Sequence, residues 1–171
     1  KLDALLPLVA LGTVADVVRL DANNRRLVAQ GLKRVRALAM PCGLASLFVA
    51  SGRQATRATT FDFGFALGPR VNAAGRLADM TLGIECLSTD DAARADELAR
   101  TLDGINRQRR EIEGDMLAAA IKDAEAQMDQ GRAALLVARE GWHAGVVGII
   151  AGRLRERFNR PAFALAIEAG V

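Results

Sequence analysis

Three short stretches of this chain gather residue types that could handle a phosphate or a metal ion. The first is GTVADVV at positions 12–18, where Asp16 is a single carboxylate in otherwise apolar surroundings. A buried charge is costly unless it is paired or metal-bound, so Asp16 is expected to have a partner. A helix cap or a turn would meet the same need, and one carboxylate with no other ligand at metal spacing does not make a site. The second stretch is FALGPRVNAAGR at 65–76, which sets Arg70, Asn72 and Arg76 among Gly68, Pro69, Ala73, Ala74 and Gly75. Small residues let backbone approach a ligand closely, and two guanidiniums can grip phosphate oxygens in pairs. A phosphate site and a tightly turned helix-loop junction with solvated arginines both fit this pattern.

The third stretch, GWHAGVVGIIAGR at 141–153, places the only Trp and the only His, Trp142 and His143, beside Gly145 at a strand-to-helix junction. Backbone N–H groups at a helix start favour a phosphate, His143 can donate to one, and Trp142 can stack on a base. Each residue alone would read as structural; gathered into one loop they point to a site. A fourth stretch, NRQRREIE at 106–113, alternates in sign and reads as a solvated helix face, with a nucleic-acid path as the alternative.

These residues need elements to hold them. Positions 5–18 read as a buried element running into a Gly-Thr turn. The short polar side chains at 21–24 suit a helix start, and the apolar spacing predicts a helix over 24–38. A second helix is expected over 43–51, a polar, basic loop over 51–60, and renewed apolar structure over 61–66. From Ser88, a capping-box-like S-T-D-D opens a helical pattern that lasts to about Met128, with Gly104 and Gly114 as candidate breaks. Beyond Gly131 a strand over 133–138, a helix over 145–158 and a strand over 162–167 make a βαβ unit, expected to be parallel with a right-handed crossover.

With 171 residues, 51% of them hydrophobic, the chain can bury a real core. Its +3 charge and pI near 9.4 suit a polyanionic partner without requiring one. Cys42 and Cys86 lack metal-type spacing and are too few for a disulfide framework, which suggests buried thiols and a cytoplasmic location. The apolar run at 4–15 has neither an initiator Met nor an A-x-A cleavage site, and no stretch reaches the roughly 18 apolar residues of a membrane span. An opening at Lys1 and an end at Val171, just after a strand-like run, read as an interior piece of a longer protein.

Taken in order, GTVADVV, Asn24-Arg25, GPRVNAAGR, NRQRREIE and GWHAGVVGIIAGRL with Arg160-Pro161 resemble the RecJ exonucleases of the DHH phosphoesterase superfamily, across nearly the whole chain. GPRVNAAGR and GWHAGVVGI are specific signals; GTVADVV is a moderate one. The resemblance implies a helix-rich α/β fold in three portions. These are the C-terminal portion of a DHH catalytic domain at 1–87, a connecting helix at 88–130, and the first βαβ of a DHH-associated nucleic-acid-binding domain at 131–171. It further implies a single-stranded-DNA-specific 5′-to-3′ exonuclease of DNA repair and recombination that hydrolyses phosphodiesters with two divalent ions, Mn²⁺ or Mg²⁺.

By the same resemblance Asp16 falls on the last carboxylate ligand of that metal cluster. Arg70 and Arg76 face DNA phosphate, Asn72 shapes the pocket, and His143 and Gly145, with Trp142, match a substrate-facing loop. A helicase and a single-strand-binding protein are implied partners. The family's earlier aspartate motifs, its DHH triplet and a later Ser- and Arg-containing phosphate motif are absent, so this polypeptide alone is expected to lack nuclease activity. Two other readings stay open. One is a DHH phosphoesterase acting on oligoribonucleotides or small phosphate esters, which usually carries a GGGH-type motif where this chain has GWHAGVVG. The other is a catalytically silent DNA-binding scaffold.

Overall fold

The computed structural model describes residues 2–168. Lys1 and residues 169–171, the outer ends of the first and last expected portions, lie outside the described residues. The elements run α1 (Leu6–Ala15), α2 (Ala22–Arg36), α3 (Cys42–Ala50), α4 (Gly68–Leu77), α5 (Thr81–Ser88), α6 (Ala92–Asp129), β1 (Leu135–Glu140), α7 (Ala144–Phe158) and β2 (Ala162–Ile167). A π-helical segment, Asp62–Leu67, leads directly into α4. No helix among the described residues is long and apolar enough to cross a membrane.

The helix boundaries follow from local chemistry. The Asp21 carboxylate accepts the Asn24 N–H at 2.9 Å and starts α2. Asp91, rather than the Ser88 of the expected capping box, starts α6 by accepting from Ala93 and Arg94. At the other end, α2 and α3 close with the paired reverse bonds of a Schellman motif. Its left-handed position is Gly52 after α3 but Leu38 after α2. The Gly12-Thr13 pair lies inside α1 and forms no turn. The apolar run around α1 is buried only at Pro7, Ala10 and Leu11 within the helix, while Leu5, Val9, Val17 and Val18 are exposed.

The chain forms two compact units, Lys1–Asn106 and Arg107–Val171. In the first, Val35, Leu44, Leu47, Phe48, Phe63 and Leu67 are fully buried or nearly so. Helices α1 and α2 cross at Gly31, where a Cβ would fall 2.4 Å from both the Ala10 Cβ and the Leu6 carbonyl oxygen. Helix α5, which the sequence pattern did not announce, puts Cys86 into this core against Gly43 of α3.

Helix α6 runs unbroken through Gly104 and Gly114, its 38 residues spanning about 57 Å. No neighbouring atom would meet a Cβ at either glycine, so they relieve no crowding and cost only helix propensity. The helix serves both units: Ala95, Leu98, Ala99 and Leu102 are buried in its first half, and Met116, Ala120 and Ala124 in its second. In the second unit β1 and β2 pair in parallel, Leu135 opposite Ala162 through Glu140 opposite Ile167. Leu135 and Val137 are buried, as are Val146, Ile150 and Leu154 of α7. The Gln127 side-chain amide both donates to the Leu136 carbonyl oxygen and accepts its N–H, so a side chain of α6 occupies the β1 backbone as a neighbouring strand would.

Burial raises the Cys86 thiol pKa to about 11, with the nearby Cys42 and Glu85 adding to the shift. An unfolded thiol ionises near pH 9 while the folded one stays protonated, so folding stability should hold below that pH and fall as pH rises towards 11. Urea unfolding at pH 8 and pH 10.5 should show this loss in the native chain and a smaller one in Cys86→Ala. Equal slopes would exclude the thiol as its source.

Candidate active site

Two helix ends and one helix face build the pocket that holds the candidate residues of the first unit. Asp16 is the C-cap of α1, its N–H donating back to the Gly12 carbonyl oxygen at 3.0 Å. It is exposed, not buried among apolar neighbours as its sequence context suggested. The charge is kept in water, which removes the desolvation problem but sets the carboxylate at the negative end of a helix, where an anion is disfavoured by about 0.3–1 kcal/mol. Val17 follows in the left-handed region at φ 54°. The bonds Val17 N–H to Val14 O and Val18 N–H to Thr13 O again complete a Schellman motif, with a β-branched residue where glycine is favoured.

FALGPRVNAAGR is helical throughout and not a helix-loop junction, since the π-helical segment passes into α4 without a break. Asn72 and Arg76 are four residues apart and share one face of α4. With Asp16, Gly75 and Met80 they line a pocket of about 300 Å³. The approach of α1 and α4 depends on Gly68: a Cβ there would lie 2.8 Å from the Ala15 Cβ and 2.9 Å from the Phe63 carbonyl oxygen. Asn72 lies one turn beyond Gly68, as Asp16 lies one residue beyond Ala15. Gly68 thus serves helix packing rather than a ligand, whereas Gly75 lines the pocket. Met80 is fixed by its neighbour Asp79, whose carboxylate accepts the Thr81 N–H at 2.9 Å. That bond holds the Asp79 pKa below the usual carboxylate range.

Arg70 does not line this pocket. Its guanidinium bonds Asp103 of α6 through Nε at 2.9 Å and Nη2 at 2.8 Å, and the Ala66 carbonyl oxygen through Nη1 at 2.6 Å. With side chains only 15% and 18% exposed, Arg70 and Asp103 form a half-buried strut joining α4 to α6. The sequence offered no signal for this pairing, because the partners are 33 residues apart.

The GWHAGVVG residues belong to the second unit. His143 is the N-cap of α7, its Nδ1 accepting the Gly145 N–H at 3.0 Å. That bond requires an unprotonated Nδ1, which leaves Nε2 to carry the ring proton. The Gly145 N–H is therefore already engaged by His143 and is not an open phosphate donor. Trp142 is half-buried and His143 exposed. The NRQRREIE stretch is less solvated than its charge pattern suggested. Asn106 is buried, and Glu113 pairs with both Arg109 on its own helix and Arg153 of α7.

Among the described residues no three His, Cys, Asp or Glu side chains converge on a common point. The Asp16 carboxylate and the Asn72 amide are hard oxygen donors of the kind Mg²⁺ and Mn²⁺ take, but two such donors are too few to hold either ion alone.

No protein-family model matches the chain. It is 50% identical over 170 residues to the single-stranded-DNA-specific exonuclease RecJ of Dickeya dadantii and 48% identical over 169 residues to that of Escherichia coli K12. Each alignment takes in 97% of this chain and 29% of the relative. The RecJ of Bacillus subtilis is 40% identical over 167 residues. Among solved structures, RecJ from Thermus thermophilus in complex with Mn²⁺ superposes with a TM-score of 0.86 at 35% identity, covering 96% of this chain and 24% of that one. The same protein with Mg²⁺ gives 0.83 at 34% identity. The chain thus spans about three tenths of the length of the curated relatives it matches. In sequence and in fold it is similar to a segment of these RecJ proteins.

Two stability measurements probe the site's construction. Val17→Gly relieves a left-handed β-branched residue and should raise stability by about 1 kcal/mol in urea unfolding; no gain would mean that Val17 carries no strain. Arg70→Ala leaves Asp103 half-buried without its strut and should cost about 2 kcal/mol, between the values for exposed and buried pairs. A loss below about 0.5 kcal/mol would show that the strut contributes little.

Proposed function

We propose that this RecJ-like chain is the part of a single-stranded-DNA-specific 5′-to-3′ exonuclease that carries one metal-ligating carboxylate and the phosphate-holding face opposite it. The observation that carries this reading is the pocket lined by Asp16, Asn72 and Arg76, in which Asp16 at the end of α1 meets two residues of α4 that lie 56 and 60 positions further along the chain. A carboxylate at the negative end of α1 is an anion placed where a cation is favoured. Across the pocket, Arg76 and Asn72 supply donors to the non-bridging oxygens of a phosphodiester. Bound there with further ligands, Mn²⁺ or Mg²⁺ would polarise a phosphodiester oxygen and activate the attacking water. The chain's own residues would position: Asp16 would hold one side of the metal, and Asn72 and Arg76 would hold the phosphate.

Arg70 acts in this reading mainly by holding α4 on α6, and a contact with DNA phosphate would be secondary to that strut. In the second unit His143 caps α7 through Nδ1 and keeps Nε2–H for a phosphate oxygen, with Trp142 beside it for a base. The 171-residue chain alone is expected to be inactive, because among the described residues no three His, Cys, Asp or Glu side chains gather to hold a metal ion. The assigned setting is cytoplasmic DNA repair and recombination, with single-stranded DNA as substrate and a helicase and a single-strand-binding protein as partners. Support for this setting comes from the RecJ similarity alone.

The test is a chimera in which this chain replaces the aligned segment of Escherichia coli RecJ. It should release nucleotides from 5′-phosphorylated single strands with Mn²⁺, while Asp16→Ala in the chimera should lower the rate by at least about a hundredfold. The isolated chain should release none. An active Asp16→Ala chimera would remove the carboxylate from the metal site.

A further inference from the structure

Phe61 and Phe65 form a surface that the Asp16 pocket does not use. One turn apart, they stand 55% and 73% exposed, with ring centroids 4.7 Å apart and planes 25° from parallel. They form one wall of an apolar groove of about 560 Å³, with Val17, Val18 and Leu20 also lining it. Fully burying a phenylalanine is worth about 1.5–3 kcal/mol, so leaving two in water gives up stabilisation that a bound partner could recover. Two backbone rarities meet at this groove: Phe65 belongs to a π-helical segment, a feature concentrated at functional sites, and Val17 is left-handed.

The rim decides what kind of partner fits. Arg19 lines the groove, and the Arg53 guanidinium lies 5.8 Å from the centroid of the Phe61 ring. Phe61 is shared with an adjoining basin of about 590 Å³ lined by Arg53, Gln54 and Arg57. The one acidic residue of that basin, Asp62, is already engaged. One oxygen accepts the Thr59 N–H and hydroxyl at 2.8 Å, and the other lies 3.6 Å from Arg53 Nε. An aromatic floor rimmed by Arg19 and Arg57, with Arg53 shared between Asp62 and the Phe61 ring, complements unpaired bases flanked by phosphates. A duplex offers no free base face to it.

We propose that Phe61 and Phe65 are a base-stacking platform for single-stranded DNA, with Arg19 and Arg57 holding the flanking phosphates and Arg53 supporting the Phe61 ring. Asp16 and Val17 are consecutive residues of the two pockets, so a strand lying on the platform runs past the carboxylate. The inference rests on the single-strand exonuclease reading and adds to it where the bases go.

The test is fluorescence anisotropy of the 171-residue chain with a short oligothymidylate and with an abasic strand of equal charge, comparing the native chain with Phe61→Ala/Phe65→Ala. Both rings lie outside the buried core cluster, so thermal unfolding of the variant should match the native chain. The expected result is a loss of about tenfold or more for the oligothymidylate with less than about a twofold change for the abasic strand. Unchanged oligothymidylate binding, or equal loss for both strands, overturns the platform. So does a native chain that binds no single strand, an outcome that leaves the exonuclease reading to the chimera's cleavage. If the double variant turns a dimer into a monomer in sedimentation without altering DNA affinity, the rings are a self-association surface and the proposal fails.

Discussion

The approach of α4 to the end of α1 at Gly68 and Ala15 is the contact on which the candidate pocket of the first unit depends. A side chain at position 68 would meet both the Ala15 Cβ and the Phe63 carbonyl oxygen below 3 Å, so the two helices can lie this close only with glycine there. One turn further along α4 and one residue further along α1, the same closeness sets Asn72 and Arg76 across a pocket from Asp16. The Arg70–Asp103 strut then fixes α4 on α6 from another side. Packing and chemistry are therefore one arrangement. The residues that hold the helices together alternate along α4 with those that face the pocket.

The sequence made part of this legible. Asp21 announced α2, the long helical period announced α6, and the switch from helical to strand spacing announced the parallel βαβ unit. The pairing of Asn72 with Arg76 was implicit in their spacing of four, once the stretch is known to be helical; the density of Gly and Pro concealed that. The same periodicity turns Arg70 away, since two residues along a helix is a rotation of about 200°. Its partner Asp103 was invisible because nothing local marks a contact 33 residues distant. Exposure was misread in both directions. Apolar neighbours around Asp16 suggested burial where the chain is open, and alternating charges at 106–113 suggested solvation where Asn106 is buried and Glu113 holds two arginines.

His143 shows why residue type alone is a weak guide to role. A histidine beside a tryptophan and a glycine at a helix start has the composition of a phosphate loop, yet one ring nitrogen is spent on the Gly145 N–H. Ser, Thr, Asp and Asn are the usual residues there, so a histidine cap leaves no familiar signature. The cap is compatible with the proposed ligand role but divides the ring between two tasks. Nδ1 orders the first turn of α7, and the ring is thereby held in one tautomer with Nε2–H outward. A side chain fixed in this way gives up less rotamer freedom on meeting a phosphate than a free one would.

Around the junction of α1 with the residues that follow it, the chain accepts several local costs at once. Val17 adopts a conformation that β-branched residues avoid, Asp16 sits at the unfavourable end of a helix, and Phe61 and Phe65 face water across the adjoining groove. Each cost has a cheap local remedy: a glycine at 17, a cation or neutral residue at 16, polar residues at 61 and 65. Elsewhere in the same unit the chain uses such remedies, as with Gly52 after α3 and Asp21 before α2. Leu38 after α2 shows a single departure of this kind elsewhere in the unit, but at residues 16–17 and 61–65 a left-handed valine, a carboxylate at a helix C-terminus and two exposed rings border adjoining pockets. The cluster lies where a carboxylate, the Asn72 and Arg76 face of α4 and an aromatic groove meet, and a single strand of nucleic acid, the proposed ligand, offers phosphates and bases for all three.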